Sequence, residues 1–219
     1  MDTRKIIMTT VLCGCLMDTS ACTSVIISGR LTQDGRPLMW KNRDTSNPYN
    51  CVVYQQGERY GYVAVANSNT ARHPRSVWMG VNERGFAIMN TQSYNLAEPD
   101  DTLGSKANGA ILKRALEICE TVEDFKTLLD TLPHPLYATT NYGVIDAKGG
   151  AAYFETGHNG YQLFDVNDTL NCPKGYIARA NYSMSGKDKA GKGYPRYLQT
   201  QLTVDQALAN RTAITPRWI

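Results

Sequence analysis

From residue 23 to residue 90, short β-branched and aromatic runs alternate with turn signals, and the same texture returns from 142 to 179. Only the block between them carries the helical period of about 3.6 residues. That ordering excludes most folds. Strands arriving in runs, with helices clustered rather than interleaved, argue for α+β layers and against a parallel sheet of βαβ units. The first strand is read at 23–28, and Asp34-Gly35 turns the chain into Pro37-Leu38-Met39-Trp40, a hairpin. Further strands are expected at 52–54, 60–66, 76–80 and 86–90, separated by Gly57, by the 67–74 loop and by Asn82-Glu83-Arg84-Gly85.

Across 110–132, Ile111, Leu112, Ala115, Leu116 and Cys119 form one helical stripe. Thr121, three residues before Asp124, opens a second helix whose face is Val122, Phe125, Leu128 and Leu129, ending at Pro133. The pair is expected to cover a sheet. Strands resume at 142–145, turn through Asp146-Ala147-Lys148-Gly149-Gly150, return along 151–155, and continue at 161–164 and 176–179. Residues 196–202 read as a helix, and Thr203 with Gln206 as the start of another before Pro216.

The 219 residues are 42% hydrophobic and 20% charged, enough apolar material for one large domain and too much for a disordered chain. Lys and Arg number 23 against 20 Asp and Glu, a formal +3 with no basic stripe, which argues against a nucleic-acid partner. Arg4 and Lys5 precede a short apolar run from Ile6 to Leu16, the layout of a cleavable export leader. The run is too short for a membrane span, which takes roughly 20 apolar residues. Ser20-Ala21 offers small residues before a cut between Ala21 and Cys22, so residues 1–21 are expected to leave and 22–219 to form the exported domain, periplasmic or secreted. A lipoprotein signal in which Leu12-Cys13-Gly14-Cys15 or Thr19-Ser20-Ala21-Cys22 ends in a lipidated cysteine is the alternative, although neither segment has the expected small residue and Leu in the right places. Cys51, Cys119 and Cys172 are the other cysteines of the domain; no C-x-x-C pair or His cluster suggests zinc, and two of the four thiols could pair in an export compartment without the sequence saying which.

A mature N-terminal cysteine carries its own base. Its α-amine titrates at about 7.7–8.0 and its thiol at about 8.5, so the two can exchange a proton near neutrality. No histidine is then needed, and His73, His134 and His158 all sit in loop-like or Pro/Gly-rich surroundings.

Ala21-Cys22-Thr23-Ser24, the 34–38 turn, Trp40-Lys41-Asn42-Arg43-Asp44, Gly80-Val81-Asn82-Glu83-Arg84-Gly85-Phe86 and Arg179-Ala180-Asn181-Tyr182-Ser183 occur in that order. In these motifs the chain resembles the N-terminal-nucleophile hydrolases that act on linear amides. These include choloylglycine hydrolase, penicillin V acylase and the acyl-coenzyme A:6-aminopenicillanic acid acyltransferases, and the 40–44 block is closest to the last. The resemblance spans residues 21 to about 200. It implies a four-layer αββα sandwich of two antiparallel sheets flanked by helices, with Cys22 at the end of the first strand. Members of the family are longer, so the resemblance also implies late strands beyond those that a chain stopping at Ile219 contains.

Roles follow by position. Cys22 would be the nucleophile, Asp44 the carboxylate that holds its α-amine, and Asn90 and Asn181 the amide donors facing the oxyanion. The cation beside the thiolate would fall on Lys41, with Arg43 as the alternative, and the family's late arginine on Arg196. The implied reaction is cleavage of a linear amide in an N-acyl compound, a bile-salt conjugate or a penicillin-like molecule, through a thioester released by water or by another amine. It uses no metal or organic cofactor. The partner is a small-molecule amide, a homo-oligomer is left open, and the rival reading is a non-catalytic lipid-anchored surface protein.

Overall fold

A computed structural model describes residues 22–96, 102–186 and 193–218. The expected leader therefore lies outside the described residues. Among the described residues ten strands form two antiparallel sheets. The smaller has the order β10-β1-β2, from β1 (Thr23–Ile27), β2 (Leu38–Asn42) and β10 (Tyr176–Ala180). The larger runs β3 to β9 in sequence order: β3 (Asn50–Gln56), β4 (Gly61–Asn67), β5 (Met79–Asn82), β6 (Ala87–Gln92), β7 (Thr140–Ile145), β8 (Ala151–Gly157) and β9 (Gly160–Asp165). Helices α1 (Asn108–Ile118) and α2 (Val122–Thr131) cover the outer face of the large sheet, and α3 (Tyr194–Ala209) covers the outer face of the small one. The four-layer αββα arrangement is thus observed.

Period-two alternation distributes the core. Val25 and Ile27 face α3 with Tyr197 and Val204, while Ile26 points the other way into the space between the sheets, against Met89 and Tyr153. On the outer face of the large sheet Phe125 of α2 meets Phe154 and Tyr142 edge-on, at ring-centroid distances of 5.0 and 5.4 Å.

Two turns carry more than their own reversal. Asp146 accepts from the Lys148 and Gly150 amides at 2.8 and 2.9 Å and, with its other oxygen, from the Val122 amide at 2.9 Å, so the β7–β8 turn also satisfies the start of α2. The helix completes this with the expected capping box between Thr121 and Asp124. In the β5–β6 turn, Gly85 takes the left-handed conformation at φ 79°. The Asn82 side chain there accepts from the Arg84 and Phe86 amides and donates to the Leu116 and Cys119 carbonyls at 3.0 and 2.7 Å. It therefore ties the hairpin to the C-terminal end of α1. Asn82→Ala is expected to lower stability by about 2–3 kcal/mol, since buried carbonyls lose their donor; a denaturant titration that shows less than about 0.5 kcal/mol would remove this role.

Two expectations need correction. Residues 76–78 precede β5, which begins at Met79. The two helices read at 196–202 and from Thr203 are one: α3 runs unbroken from Tyr194 to Ala209. The Thr203 hydroxyl donates to the Gln199 carbonyl one turn back, so it is spent inside the helix instead of capping a new one. The four described cysteines are all free thiols, and no described helix is long and apolar enough to cross a membrane.

Candidate functional site

Cys22 stands immediately before β1, half-buried, at one end of the small sheet. The β1–β2 register pairs Thr23 with Asn42 and Ser24 with Lys41, which brings Arg43 and Asp44 alongside Cys22. The hairpin places that thiol against the 41–44 block, and Cys22 Sγ donates to the Asp44 carbonyl at 3.5 Å. Asp44 is half-buried.

Lys41 and Arg43 point to different tasks. Lys41 Nζ leaves β2 for the large sheet, where it donates to Asn90 Oδ1 at 3.0 Å and to the Trp78 carbonyl at 2.7 Å. Loss of water around its ammonium lowers its pKa to about 8; the charge of a Cys22 thiolate opposes that shift, and Arg43 adds to it. Arg43 turns toward the ends of β3 and β4. Its Nη2 reaches Asn67 Oδ1 at 3.1 Å, its Nη1 reaches Asn50, and its guanidinium lies 5.1 Å from the centre of the Trp78 ring. Trp78 Nε1 donates to the same Asn67 oxygen at 3.0 Å. Of the two candidate cations, both of which feel the charge of a Cys22 thiolate, Lys41 is thus the one bonded to Asn90, and Arg43 braces the ends of β3 and β4.

Asn90, on β6, is buried and accepts from Lys41 through Oδ1, which leaves its Nδ2 hydrogens as donors. Asn181 follows β10 directly. Its Nδ2 donates to the Gln92 carbonyl at 2.7 Å, so one of its two amide hydrogens is committed to the edge of the large sheet. Arg196, one turn into α3, closes the arrangement: Nη2 meets Asn181 Oδ1 at 3.1 Å, and Nη1 meets Thr23 Oγ1 at 3.1 Å and the Cys22 carbonyl. It fixes the backbone of one candidate residue and the side chain of another. All seven residues singled out in the sequence therefore lie in one connected cluster at the same end of both sheets.

The supporting shell was not legible beforehand. Asn141, fully buried on β7, donates through Nδ2 to the Ala180 and Tyr182 carbonyls at 3.1 and 3.2 Å, gripping the chain on both sides of Asn181. Its Oδ1 accepts from Ser183, and Thr91 Oγ1 donates to the Ala180 carbonyl at 2.9 Å. Nothing in the local pattern around 140–142 marks that asparagine, because its partners are about 40 residues away. Trp78 and Asn67 were likewise read only as strand and loop.

The cluster brings a thiol, a cation electrostatically coupled to it and two asparagine amides to the same end of both sheets. That is the equipment of covalent acyl transfer. The family model for acyl-coenzyme A:6-aminopenicillanic acid acyl-transferase matches residues 31–203. No curated protein is significantly similar in sequence. Among solved structures, the chain superposes on an N-acylethanolamine-hydrolyzing acid amidase ortholog of Caenorhabditis elegans with a TM-score of 0.63 at 11% identity, covering 84% of this chain and 79% of that one. A mutant of the conjugated bile acid hydrolase of Clostridium perfringens gives a TM-score of 0.50 at 16% identity, covering 71% of this chain. The match spans 52% of the bile acid hydrolase, about half its length.

Proposed function

Because the chain belongs to the acyl-coenzyme A:6-aminopenicillanic acid acyl-transferase family, we propose that it is an exported amidohydrolase whose nucleophile is Cys22. On this reading residues 1–21 are removed and Cys22 becomes the first residue. Its thiol then attacks the carbonyl carbon of a linear amide while its α-amine accepts the proton. Asp44 orients that amine, Lys41 stabilises the thiolate, and the Nδ2 groups of Asn90 and Asn181 meet the tetrahedral oxyanion. A fixed donor at such a point is worth roughly 10²–10³ in rate. The amine returns the proton to the leaving nitrogen, the C–N bond breaks, and the acyl group stays on sulfur as a thioester until water releases it.

The observation that supports this reading is the Lys41–Asn90 bond at 3.0 Å, by which an ammonium electrostatically coupled to Cys22 also fixes the acceptor end of the Asn90 amide. Release of the thioester to an amine in place of water is the second reading, and the family match is what favours it.

The test is to process the protein to Cys22, react it with an N-acyl amide and look for an added acyl mass on Cys22. The adduct should be removed by hydroxylamine, as a thioester is. An acyl group found on another residue, or no adduct and no turnover with N-acyl amino acids, bile-salt conjugates and penicillin V alike, would overturn the assignment.

Lys41 gives the reaction a pH signature. Its charge is lost as the pH rises through about 8, so kcat/KM is expected to fall above that value. Lys41→Met should be slower throughout and should lack this alkaline limb. The same lowered pKa acts on stability. Burying the charge penalises the folded protein fully below pH 8, and because an unfolded lysine titrates near 10.4, the penalty is relieved between about 8 and 10.4. Wild-type stability relative to Lys41→Met should therefore rise across that window, and a constant difference by denaturant titration would contradict it.

A further inference from the structure

The two amides assigned to the oxyanion stand on different sheets. Asn90 belongs to β6 of the seven-stranded sheet, and Asn181 follows β10 of the three-stranded one. Between them the sheets meet through side chains such as Ile26, Met89 and Tyr153. Contacts of that kind are non-directional; they hold two sheets about 10 Å apart without fixing a polar group at the rim. At the Cys22 end hydrogen bonds close the gap instead. Asn141 pairs with Thr91 in the β6–β7 register, next to the Asn90–Tyr142 pair. From there its Nδ2 crosses to the small sheet and reaches the Ala180 and Tyr182 carbonyls at 3.1 and 3.2 Å. Thr91 Oγ1 donates to the same Ala180 carbonyl at 2.9 Å and accepts from Asn141 Nδ2 at 3.1 Å. Ala180 and Tyr182 also bridge each other, so the chain doubles back at Asn181.

Both peptide carbonyls beside that reversal are therefore held from the strands that carry and adjoin Asn90. Asn141 and Thr91 are themselves fully buried. A leucine of similar volume would serve packing at 141; what only the amide supplies is direction, since a hydrogen bond constrains angle as well as distance. We propose that Asn141, together with Thr91, is a positioning residue that fixes the Asn181 amide relative to Asn90 and so sets the span of the oxyanion site. The proposal rests on Cys22 being the nucleophile and on the two asparagines meeting the oxyanion. Such donors act in the transition state, so misplacing one should lower kcat and leave KM alone. A displacement of about 1 Å in a reacting arrangement can cost roughly 10²-fold.

Asn141→Leu in the processed protein is expected to lower kcat on an N-acyl amide by about 10- to 100-fold, with KM within about twofold of wild type. Thr91→Val removes one hydroxyl donor at constant shape; it should cost about 3- to 10-fold in kcat, and it carries the test if Asn141→Leu does not fold. The readout that a merely structural role would not move is the double-mutant cycle with Asn181→Ala, followed as the single-turnover rate of acyl transfer to Cys22. Once the positioned amide is gone, Asn141→Leu or Thr91→Val should cost less than about threefold further. A kcat within about twofold of wild type in the folded variants, a rise in KM with kcat unchanged, or a loss as large in Asn181→Ala as in wild type would overturn the proposal. If wild type turns over no amide, the proposed function fails separately. Crystal structures of wild type and the folded variant then decide: an Asn181 side chain that shifts by more than about 0.5 Å or splits into two conformers supports the positioning role, and an unmoved one overturns it.

Discussion

Cys22→Ala should bring amide turnover down by about 10⁴–10⁶-fold, the loss found when a covalent nucleophile is removed and only binding and oxyanion donors remain. The fold should not notice. Cys22 is half-buried at the start of β1, and its sulfur makes one contact, at 3.5 Å, with the Asp44 carbonyl. The Arg196 bond goes to its backbone carbonyl and survives the substitution. A melting temperature within about 2 °C of wild type is expected, since losses at partly exposed sites are mostly within about 0.5 kcal/mol. Turnover that persists in Cys22→Ala at a tenth of the wild-type rate or more would show that another group attacks the amide, and a collapse in stability would make the activity loss uninformative. The two measurements together separate a chemical role from a structural one.

Glu155→Ala should be the most destabilising change in the inter-sheet space, by about 3–5 kcal/mol. Arg179 and Glu155 are buried there, with side-chain exposures of 4% and 0% and an Nε–Oε1 separation of 2.6 Å. The guanidinium is also sandwiched, 4.9 Å from the Phe164 ring centre and 5.4 Å from that of Tyr153. Removing the carboxylate alone leaves a cation stranded between two sheets. It also frees the segment after Asn181, because Glu155 accepts from the Met184 amide at 2.8 Å and the Ser185 amide at 2.7 Å. A fall in melting temperature of about 6–20 °C corresponds to that loss for a chain of this size. The double replacement Arg179→Met/Glu155→Leu should be milder than Glu155→Ala, since a neutral pair leaves no unpaired charge. Additive losses in the double variant would show that the two residues act independently. A lowered kcat in folded Glu155→Ala is expected as well, through the freedom given to Asn181.

How much of this was readable beforehand depended on the range of the interaction. The β1–β2 hairpin followed from Asp34-Gly35 between apolar runs, and α2 from Thr121 and Asp124, because each signal and its effect lie within a few residues. The Cys22, Asn90, Asn181 and Arg196 candidates came from motif order and were found together. The tasks of Lys41 and Arg43 could not be separated from the 40–44 block, where both cations sit on the same face of one short segment; only the tertiary structure sends Lys41 to Asn90 across the gap between sheets and Arg43 to Asn50 and Asn67. The false helix start at Thr203 has the opposite lesson: the same hydroxyl that caps a helix also bonds one turn back within one, and only the continuation of α3 distinguishes them.

The chain's own sequence determined its strands, its amphipathic helices and their caps, and which cysteine follows a leader-like segment. These rest on side-chain periodicity and on hydrogen bonds closed over three or four residues, which each local stretch encodes by itself. The tertiary structure alone decided that the sheets have seven and three strands, that Arg179 is buried against Glu155, and that Arg196 reaches the carbonyl of a residue 174 positions earlier. Those outcomes depend on which apolar faces exclude water together. Partners chosen by shared burial leave no trace in the spacing of either residue's neighbours.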